Sequence, residues 1–257
     1  MKHYNPLISI IMNCYNGESF LRKSLNSIKK QSYKNWELIF YDNCSTDKSK
    51  NILKTFKDKR IKYFKSNKFL RLYDARNKAI NKAQGEYLGF LDTDDTWSKD
   101  KLKYQINFLK KNKSDILYTN YYINNEKKKT KYLKSNYNLP DGYITQSLLN
   151  DYCIGILTTL INKKVFKKIK FNYKLEIIGD FDFFVRSSIK YKINSINKPL
   201  ATYRFHSNNL SQIKLQLYIE ELESWIRANN NQLKKFNLIK FKIYLIKLQI
   251  KKFFNFF

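Results

Sequence analysis

Apolar runs alternate with polar turns and helical stretches along residues 7–111 of the chain. Short runs rich in β-branched and aromatic residues predict buried strands at residues 7–14, 36–41, 61–64 and 87–91. Stretches with apolar residues at helical spacing predict helices at residues 17–30, after the turn 42–47, at 72–83 and at 99–111. This order forms βαβ units, so we predict an α/β fold with a mostly parallel central sheet and helices on both faces.

The second half of the chain has a less regular pattern. It predicts strands at residues 115–123, 155–162 and 201–205, a helix at 181–191 and an exposed basic loop at 126–131. From about residue 211 the apolar pattern is helical to the end. The chain therefore divides into a domain of residues 1–210 and a helical tail of residues 211–257.

The tail carries an apolar stripe among many lysines. Residues of the stripe recur at steps of three and four, and they are Phe236, Ile239, Ile243, Ile246, Ile250, Phe253 and Phe257. A basic amphipathic helix with aromatic residues is typical of a segment that binds an anionic membrane surface. The alternative is a helix that packs on the domain or on a second copy of the chain, which leaves a homodimer open.

Polar residues follow three of the strands predicted in the first half, at residues 13–16, 42–47 and 92–95. The carboxyl ends of parallel strands meet at one edge of a sheet, and ligands of open α/β sheets bind there. We therefore expect a binding site built by three turns that lie far apart in the sequence.

The last of these turns, Asp92-Thr-Asp-Asp95, concentrates carboxylates at the end of a strand. Carboxylates buried together are costly unless a cation is present. Mg²⁺ and Mn²⁺ bind carboxylate and phosphate oxygens, so Asp92 and Asp94 suit a metal that bridges the protein to a diphosphate. The alternative is an acidic turn that leads into the next helix.

Three further residues near this edge have both a functional and a structural interpretation. Asp42 could accept hydrogen bonds from a nucleobase or ribose, or it could close an Asx turn. Arg71 and Arg76 could pair with phosphates, or they could be solvated basic residues.

The same ambiguity applies to two segments of the second half. Asp180 could act as a general base among apolar neighbours, although the helix dipole alone favours an acidic residue at this helix start. His206 lies beside Arg204 at the end of a strand, where it could contact a phosphate or a metal, or could simply be a surface residue.

Taken together, these segments resemble the family 2 glycosyltransferases of the GT-A fold. The matching segments occur in the family's order and at its usual spacings, and they are residues 8–16, 38–47, 75–77, 83–87, 90–95, 179–182 with Arg186, and 203–206. The match covers residues 6–210, and the combination is specific although each segment is weak alone. The resemblance implies that residues 1–110 bind the nucleotide sugar and residues 111–210 bind the acceptor.

The resemblance also implies a nucleotide-diphosphate-sugar donor, first of all a UDP-sugar, and Mn²⁺ or Mg²⁺ as cofactor. By this resemblance, Tyr15 and Asp42 match base-binding positions, Arg76 matches a donor-binding position, and Asp92 matches the carboxylate on the ribose or metal side. We also expect Asn13, Arg71, Thr93 and Arg204 to bind the donor. Asp94 matches the carboxylate on the metal side, with Asp92 as a second candidate metal ligand. His206 matches a pyrophosphate or metal contact, and Asp180 matches the general base.

The reaction implied by the resemblance is a direct displacement with inversion at the anomeric carbon. The metal and Arg76 would neutralise the leaving diphosphate while Asp180 takes the proton of the acceptor hydroxyl. The acceptor would be a saccharide or a lipid-linked molecule in surface polysaccharide or glycolipid synthesis. The alternative is an inactive relative that binds nucleotide sugars or carbohydrate, and the intact Asp92, Asp94 and Asp180 argue against it.

Two segments depart from the family pattern. Asn-Lys-Phe-Leu at residues 67–70 replaces a frequent Asn-x-Gly, so we expect a different loop over the donor. Gly179 stands where the family commonly has a Glu before the Asp, which removes a carboxylate from the acceptor side.

The chain has 257 residues and a formal net charge of +29, from 50 Lys and Arg against 21 Asp and Glu. Such a charge invites a nucleic-acid interpretation. Lys far outnumbers Arg, however, and no nucleic-acid-binding motif occurs, so we expect no nucleic-acid partner. A nucleotidyltransferase is also disfavoured, because the turn after the first strand is not a Gly-rich, Lys-containing phosphate loop.

Cys14, Cys44 and Cys153 form no Cys-x-x-Cys motif and cannot all pair within one chain, so neither a disulfide framework nor a zinc site is expected. No signal peptide and no membrane-spanning stretch is visible. We therefore expect a cytoplasmic protein, with peripheral binding to the inner face of the cytoplasmic membrane as an option.

Overall fold

The computed structural model describes residues 4–254, apart from the side chains of Ser211 and Gln212. Phe257 of the predicted stripe therefore lies outside the described residues. The elements of the first half are β1 (Ile8–Cys14), α1 (Glu18–Lys29), β2 (Trp36–Asp42), α2 (Ser49–Lys54), β3 (Ile61–Lys65), α3 (Leu72–Lys82), β4 (Tyr87–Phe90), β5 (Thr96–Trp97) and α4 (Lys101–Lys111). The predicted strands and helices of this half are confirmed, and β5 is an additional short strand.

The second half contains more elements than its pattern predicts. They are β6 (Ile116–Asn125), β7 (Thr130–Leu133), α5 (Thr145–Asn150), a 3-10 helix (Ile156–Thr158), β8 (Leu160–Asn162), α6 (Val165–Lys168), α7 (Gly179–Lys190), β9 (Ile193–Phe205), α8 (Leu210–Ile213), α9 (Leu215–Ala228), α10 (Asn230–Leu233) and α11 (Ile239–Phe254).

These strands join one mixed sheet in the order β3-β2-β1-β4-β8-β6-β9-β5, with β7 paired to β6. The pairs among β1, β2, β3 and β4 are parallel. β8 runs antiparallel to both β4 and β6, whereas β9 runs parallel to β6. The α/β class is confirmed, but the parallel order is confined to the first four strands and to the β6–β9 pair.

Helices cover both faces of the sheet. Successive side chains of a strand point to opposite faces, and in β1 Ile11 joins one apolar cluster while Ile10 and Met12 join another. The first cluster includes residues of α3, α7, α9 and α11, and the second includes residues of α1 and α4. The predicted arrangement of helices on both faces is therefore confirmed.

Two predictions for the second half are wrong in part. The segment 155–162 is not one strand, because the hydroxyls of Thr158 and Thr159 donate to the carbonyls of Gly155 and Ile156 at 2.7 and 2.8 Å and favour a 3-10 turn. The loop predicted at 126–131 is a tight turn that leads directly into β7, with Lys129 in the left-handed region at φ 51°.

As far as residue 254, the tail is broken into four helices and is not one continuous helix. Its two long helices, α9 and α11, contribute apolar residues to the same cluster as α7, and these residues are Ile219, Leu222, Trp225, Phe241, Leu245 and Leu248. The core therefore continues past residue 210, and the tail packs on the helix that carries Asp180.

Candidate active site

The loops after β1 and β2 are joined by reciprocal hydrogen bonds. The Asn16 side-chain oxygen accepts from the Thr46 amide at 2.8 Å, and the Asn16 amide donates to the Ser45 hydroxyl at 3.1 Å. The Asp47 carboxylate accepts from the Glu18 amide at 2.8 Å. The free amides at the start of α1 thus find partners in the other loop, and the two loops form one rigid edge.

Asp42 lies at the end of β2 and is buried. One carboxylate oxygen accepts from the Ser45 amide at 2.8 Å, and the other accepts from the Tyr63 hydroxyl at 2.7 Å. The structure therefore shows Asp42 in its structural role, as a residue that closes a turn. Its contact with a nucleobase or ribose stays a prediction.

Tyr15 and Phe69 form an exposed aromatic pair above this edge. Their side chains are 54% and 59% exposed, and their ring centroids are 4.7 Å apart in an edge arrangement. The loop of Phe69 is fixed by Asn43, whose amide group exchanges hydrogen bonds of 2.8 and 3.0 Å with the backbone of Leu70. Phe69 is not among the predicted site residues, although the departure at residues 67–70 pointed to this loop.

Asn13 lies in β1 between β2 and β4, at the predicted edge. Both polar atoms of its side chain are buried, and neither has a hydrogen-bond partner among residues 4–254. Buried amides are nearly always paired in folded proteins. The amide group of Asn13 is therefore an unpaired polar group at the edge where the site is predicted.

Arg76 joins the two halves of the site. Its side chain is 1% exposed and lies within 6 Å of the rings of Tyr73 and Phe90. One terminal nitrogen pairs with Asp92 at 2.9 Å, and the other pairs with Asp180 at 2.7 Å. A contact of Arg76 with a phosphate stays a prediction, because in the structure its guanidinium is directed at these two carboxylates.

Asp180 keeps a side chain that is 24% exposed, in a recess of the site. Burial raises its pKa to about 6, and the charge of Asp92 acts in the same direction, whereas the Arg76 guanidinium opposes the shift. A carboxylate with this pKa is ionised at neutral pH but binds a proton readily. It therefore has the properties of a general base.

The segment before Asp180 is held by a residue of the tail. The buried carboxylate of Glu221 in α9 accepts hydrogen bonds from the amides of Glu176, Ile177 and Ile178 at 2.6, 2.9 and 3.0 Å. These amides lead directly into α7, which begins at Gly179. Glu221 lies outside the resemblance, and its local sequence gives no signal of this contact.

The glycine at position 179 has a steric explanation in this chain. A side chain at this position would come within 2.4–2.6 Å of the Tyr73 ring. Tyr73 is itself fixed, because its hydroxyl donates to the Ile177 carbonyl at 2.8 Å. The family commonly has a Glu at this position. In this chain the Tyr73 ring fills the space that its side chain would need.

The acidic turn is closed from β9 by Arg204 and His206. The Arg204 amide donates to the Asp95 carboxylate at 2.9 Å, and its side-chain Nε donates to the Asp94 carbonyl at 2.9 Å. His206 Nε2 lies 3.1 Å from the Asp94 carboxylate. Because the Asn208 amide donates to His206 Nδ1 at 3.2 Å, a neutral ring carries its proton on Nε2 and donates it to Asp94.

The turn holds two carboxylates with raised pKa values. Burial raises the pKa of Asp94, with a further contribution from the charge of Asp92, while the hydrogen bond from His206 lowers it. Burial raises the pKa of Asp95 well above its usual range, and the neighbouring carboxylates add to the shift. Negative charge is therefore costly in this turn, and a bound cation would reduce that cost.

Arg71 and Thr93, the remaining predicted residues, lie at the margins of the site. The Arg71 side chain is exposed and donates to the Lys174 carbonyl at 2.8 Å, so it links α3 to the loop before α7. Thr93 lies against Gly17, and its carbonyl accepts from the Ser24 hydroxyl at 2.7 Å. A phosphate contact of Arg71 and a donor contact of Thr93 stay predictions.

A metal at this site would have few protein ligands. Within residues 4–254 no group of three or more His, Cys, Asp or Glu side chains is placed to hold a metal ion. Asp92 is engaged by Arg76 and Asp95 is buried, which leaves Asp94, in contact with His206, as the accessible carboxylate without an Arg or Lys partner among the described residues. Mg²⁺ is often bound by one or two carboxylates together with substrate phosphates, so the donor set fits a metal that arrives with a diphosphate.

Solved structures share this architecture. S. aureus TarS, crystallised with UDP-GlcNAc, aligns with a TM-score of 0.67 at 19% identity over 91% of this chain and 71% of its own. The mannosyltransferase PcManGT of Pyrobaculum calidifontis, in complex with GDP-Man and Mn²⁺, aligns with a TM-score of 0.63 at 15% identity over 87% of this chain and 65% of its own. The fold is that of the GT-A glycosyltransferases.

The family follows from the sequence comparison. The profile of the family described as glycosyl transferase family 2 matches residues 9–186, so the chain belongs to this family and is a glycosyltransferase. A putative teichuronic acid biosynthesis glycosyltransferase of Bacillus subtilis, TuaG, is 30% identical over 83% of this chain and 85% of its own. A β-1,3-glucosyltransferase of Escherichia coli, WfgD, is 31% identical over 82% and 81%, and its name specifies UDP-Glc and a GlcNAc-diphosphoundecaprenol.

The described helices fall short of a membrane span. Between residues 4 and 254, none is both long enough and apolar enough to cross a bilayer.

Proposed function

We propose that the protein transfers a sugar from a nucleotide-diphosphate donor, first of all a UDP-sugar, to a hydroxyl of a saccharide or lipid-linked acceptor. The process would be the synthesis of a cell-surface polysaccharide or glycolipid, in line with the names of its relatives. The observation that carries the proposal is the bridge of Arg76 between Asp92 and Asp180. It couples the edge that would bind the donor to the carboxylate that would activate the acceptor.

The donor would bind along the carboxyl edge of β1, β2 and β4. The unpartnered amide of Asn13 offers a donor and an acceptor to the nucleotide. The exposed rings of Tyr15 and Phe69 offer apolar surface to the base. Arg204, whose guanidinium pairs with Glu126 at 2.5 Å, lies next to the acidic turn, where the diphosphate would lie.

The metal would be Mn²⁺ or Mg²⁺, held by Asp94 with Asp92 in support. When bound, it supplies positive charge that stabilises the leaving diphosphate. We assign His206 to the orientation of the Asp94 carboxylate, because its Nε2 proton faces this carboxylate in the structure. The cost of charge on Asp94 and Asp95 supports a cation in this turn.

Asp180 would be the general base. Its carboxylate takes the proton of the acceptor hydroxyl as that oxygen attacks the anomeric carbon, and attack from the side opposite the diphosphate inverts the configuration. Arg76 is a positioning residue, because it fixes one oxygen of Asp180 and lowers its pKa. Tyr152 has a buried hydroxyl without a partner among residues 4–254 and packs its ring on Phe181, so it is a candidate for an acceptor contact.

The carboxylate of Glu221 positions the base from the tail, which gives a testable result. We expect Glu221→Gln to lower kcat by about tenfold, because one acceptor becomes an amide donor that faces backbone amides. The acid limb of the pH–rate profile should move, since the recess around Asp180 changes. Glu220→Gln in the same helix, where Glu220 is exposed, is the matched control. A loss of stability with an unchanged profile and kcat would show that Glu221 has only a structural role.

A donor screen tests the proposed function as a whole. The full chain is incubated with UDP-, GDP- and other nucleotide sugars in the presence of Mn²⁺ or Mg²⁺, and the release of nucleoside diphosphate is measured. We expect metal-dependent turnover of at least one donor. Binding of a donor without turnover, with or without saccharide and lipid-linked acceptors, would instead indicate an inactive carbohydrate-binding relative.

The proposed location is the cytoplasmic side of the cell, where nucleotide sugars are made. This location and a homodimer stay proposals. Contact with a membrane surface is a separate matter, which depends on the tail.

A further inference from the structure

Helix α11 has apolar residues on two opposite sides. Its inner side consists of Phe241, Leu245 and Leu248, which are buried against α9 and α5. Its outer side consists of Ile239, Ile243, Ile246 and Ile250, which are 46–63% exposed. A helix turns by about 100° per residue, so these isoleucines lie about half a turn away from the inner side.

The packing of the domain explains the inner side only. The predicted alternatives for the tail, a helix that packs on the domain and a helix that binds a membrane, therefore describe different sides of the same helix. Contiguous exposed apolar surface with a polar border marks an interaction site. We define the outer face as the four isoleucines Ile239, Ile243, Ile246 and Ile250.

Lysines border the outer face on both sides. The exposed side chains of Lys240, Lys247 and Lys251 lie along one border, and Lys242 lies along the other. No acidic residue occurs within α11. Lysine can lay its aliphatic stem along an apolar surface while its ammonium group reaches a polar layer. The outer face thus combines apolar residues that can enter an acyl layer with cations at the level of the head groups.

We propose that the outer face of α11 binds the surface of an anionic lipid bilayer. The charge of the molecule selects this occupant over a second copy of the chain. Two copies joined through this face would bring their lysine borders together, and each carries a formal net charge of +29. An anionic bilayer attracts the same lysines, each of which strengthens binding about fivefold.

The attachment would orient the active site. The Phe241 ring on the inner side stacks on Phe181 with centroids 5.6 Å apart, and Phe181 follows Asp180 in α7. The base helix is therefore in direct contact with the helix that lies on the lipid. Only the link from this contact to sugar transfer, through Asp180 in α7, rests on the proposed function.

Vesicle flotation with the full chain tests the proposal. We expect binding to vesicles of phosphatidylglycerol and phosphatidylcholine, and much weaker binding to phosphatidylcholine alone. The variant I243S/I246S/I250S should bind anionic vesicles about a hundredfold more weakly. The control Y132S/Y143S/I213S changes apolar residues that are 49–66% exposed elsewhere, and it should bind within about twofold of the natural protein.

Charge is tested by a second matched pair. K240E/K247E should weaken binding at least about 25-fold, whereas K127E/K128E, with the same charge change in the exposed turn before β7, should leave it nearly unchanged. Equal binding by the outer-face variant and the natural protein would overturn the proposal. So would a dimer that becomes a monomer in this variant while vesicle binding is unchanged, because the face would then be a copy interface.

The membrane inference and the proposed function fail in different ways. D180N should bind vesicles like the natural protein, because Asp180 lies outside the outer face. Vesicle binding without transfer from any donor would refute the proposed function and leave this inference intact. Transfer without vesicle binding would refute this inference and leave the proposed function intact.

Discussion

Replacing Asp180 by Asn is expected to reduce sugar transfer by about 10²–10⁴-fold, the usual contribution of a general base. An amide cannot take a proton from the acceptor hydroxyl, although its oxygen can still accept the 2.7 Å hydrogen bond from Arg76. Donor affinity should stay within about twofold, because the substitution removes proton transfer and not nucleotide contacts. Transfer kinetics and donor titration by calorimetry measure the two quantities separately.

The pH dependence of the natural enzyme tests the same role of Asp180. Burial raises the pKa of Asp180 to about 6, and the base works only when it is deprotonated. We therefore expect kcat/KM to fall about tenfold for each pH unit below about 6. D180N should lose this limb of the profile together with most of its activity.

Asp115→Asn is the matched control for D180N. Asp115 lies just before β6, at the amino end of β4 and thus at the opposite edge of the sheet, where it pairs with the exposed Lys164 at 2.8 Å. This variant should transfer sugar at the rate of the natural protein. Full activity in D180N would contradict the role of Asp180, and equal losses in both variants would point to a general defect of folding.

The sequence pattern predicted the edge of the sheet because strand topology follows local rules. Buried apolar strands in a βαβ order must be parallel, so their carboxyl ends bring Asn13, Asp42 and Asp92 to one edge. The prediction held for the first half because each element there has a clear period. It failed at residues 155–162, where two threonine hydroxyls compete with the strand ladder in a way that apolar spacing does not reveal.

The contacts that tune the site could not be predicted in this way. Arg76 and Asp180 are 104 residues apart, and each had a simpler local interpretation as a solvated cation or a helix-start acid. Glu221 holds the segment before α7 from 43–45 residues away, in a part of the chain outside the resemblance. Such pairs depend on how helices pack in three dimensions, whereas the periodicity of one segment specifies only which of its faces is buried.

The sequence pattern also could not predict which residues of the tail are buried. Its stripe predicted an amphipathic helix, and α11 is one. The isoleucines of the stripe face outward, whereas Phe241, Leu245 and Leu248, which lie outside the stripe, face the core. Both sets recur at steps of three and four, so only the packing of α9 and α5 distinguishes them.

Asp94→Ala is expected to reduce transfer by about 10²–10³-fold and to remove the response to Mn²⁺ or Mg²⁺. Asp92 is paired with Arg76, and Asp95 is buried and accepts from the Arg204 amide, whereas the Asp94 side chain is 25% exposed and has no Arg or Lys partner within residues 4–254. Its loss should weaken metal binding measured by calorimetry in the presence of UDP, a readout that does not need turnover. Metal activation retained in D94A would contradict the assignment.

The role of His206 then follows from the comparison of two variants. If its Nε2 proton orients Asp94, His206→Gln keeps a donor and should retain much of the activity, while His206→Ala should lose about tenfold. If His206 were itself a ligand, both variants should weaken the metal to the same degree, because an amide is a poor substitute for imidazole nitrogen. Since Nδ1 accepts from the Asn208 amide at 3.2 Å, a neutral ring has no free nitrogen for a metal, and we expect the first result.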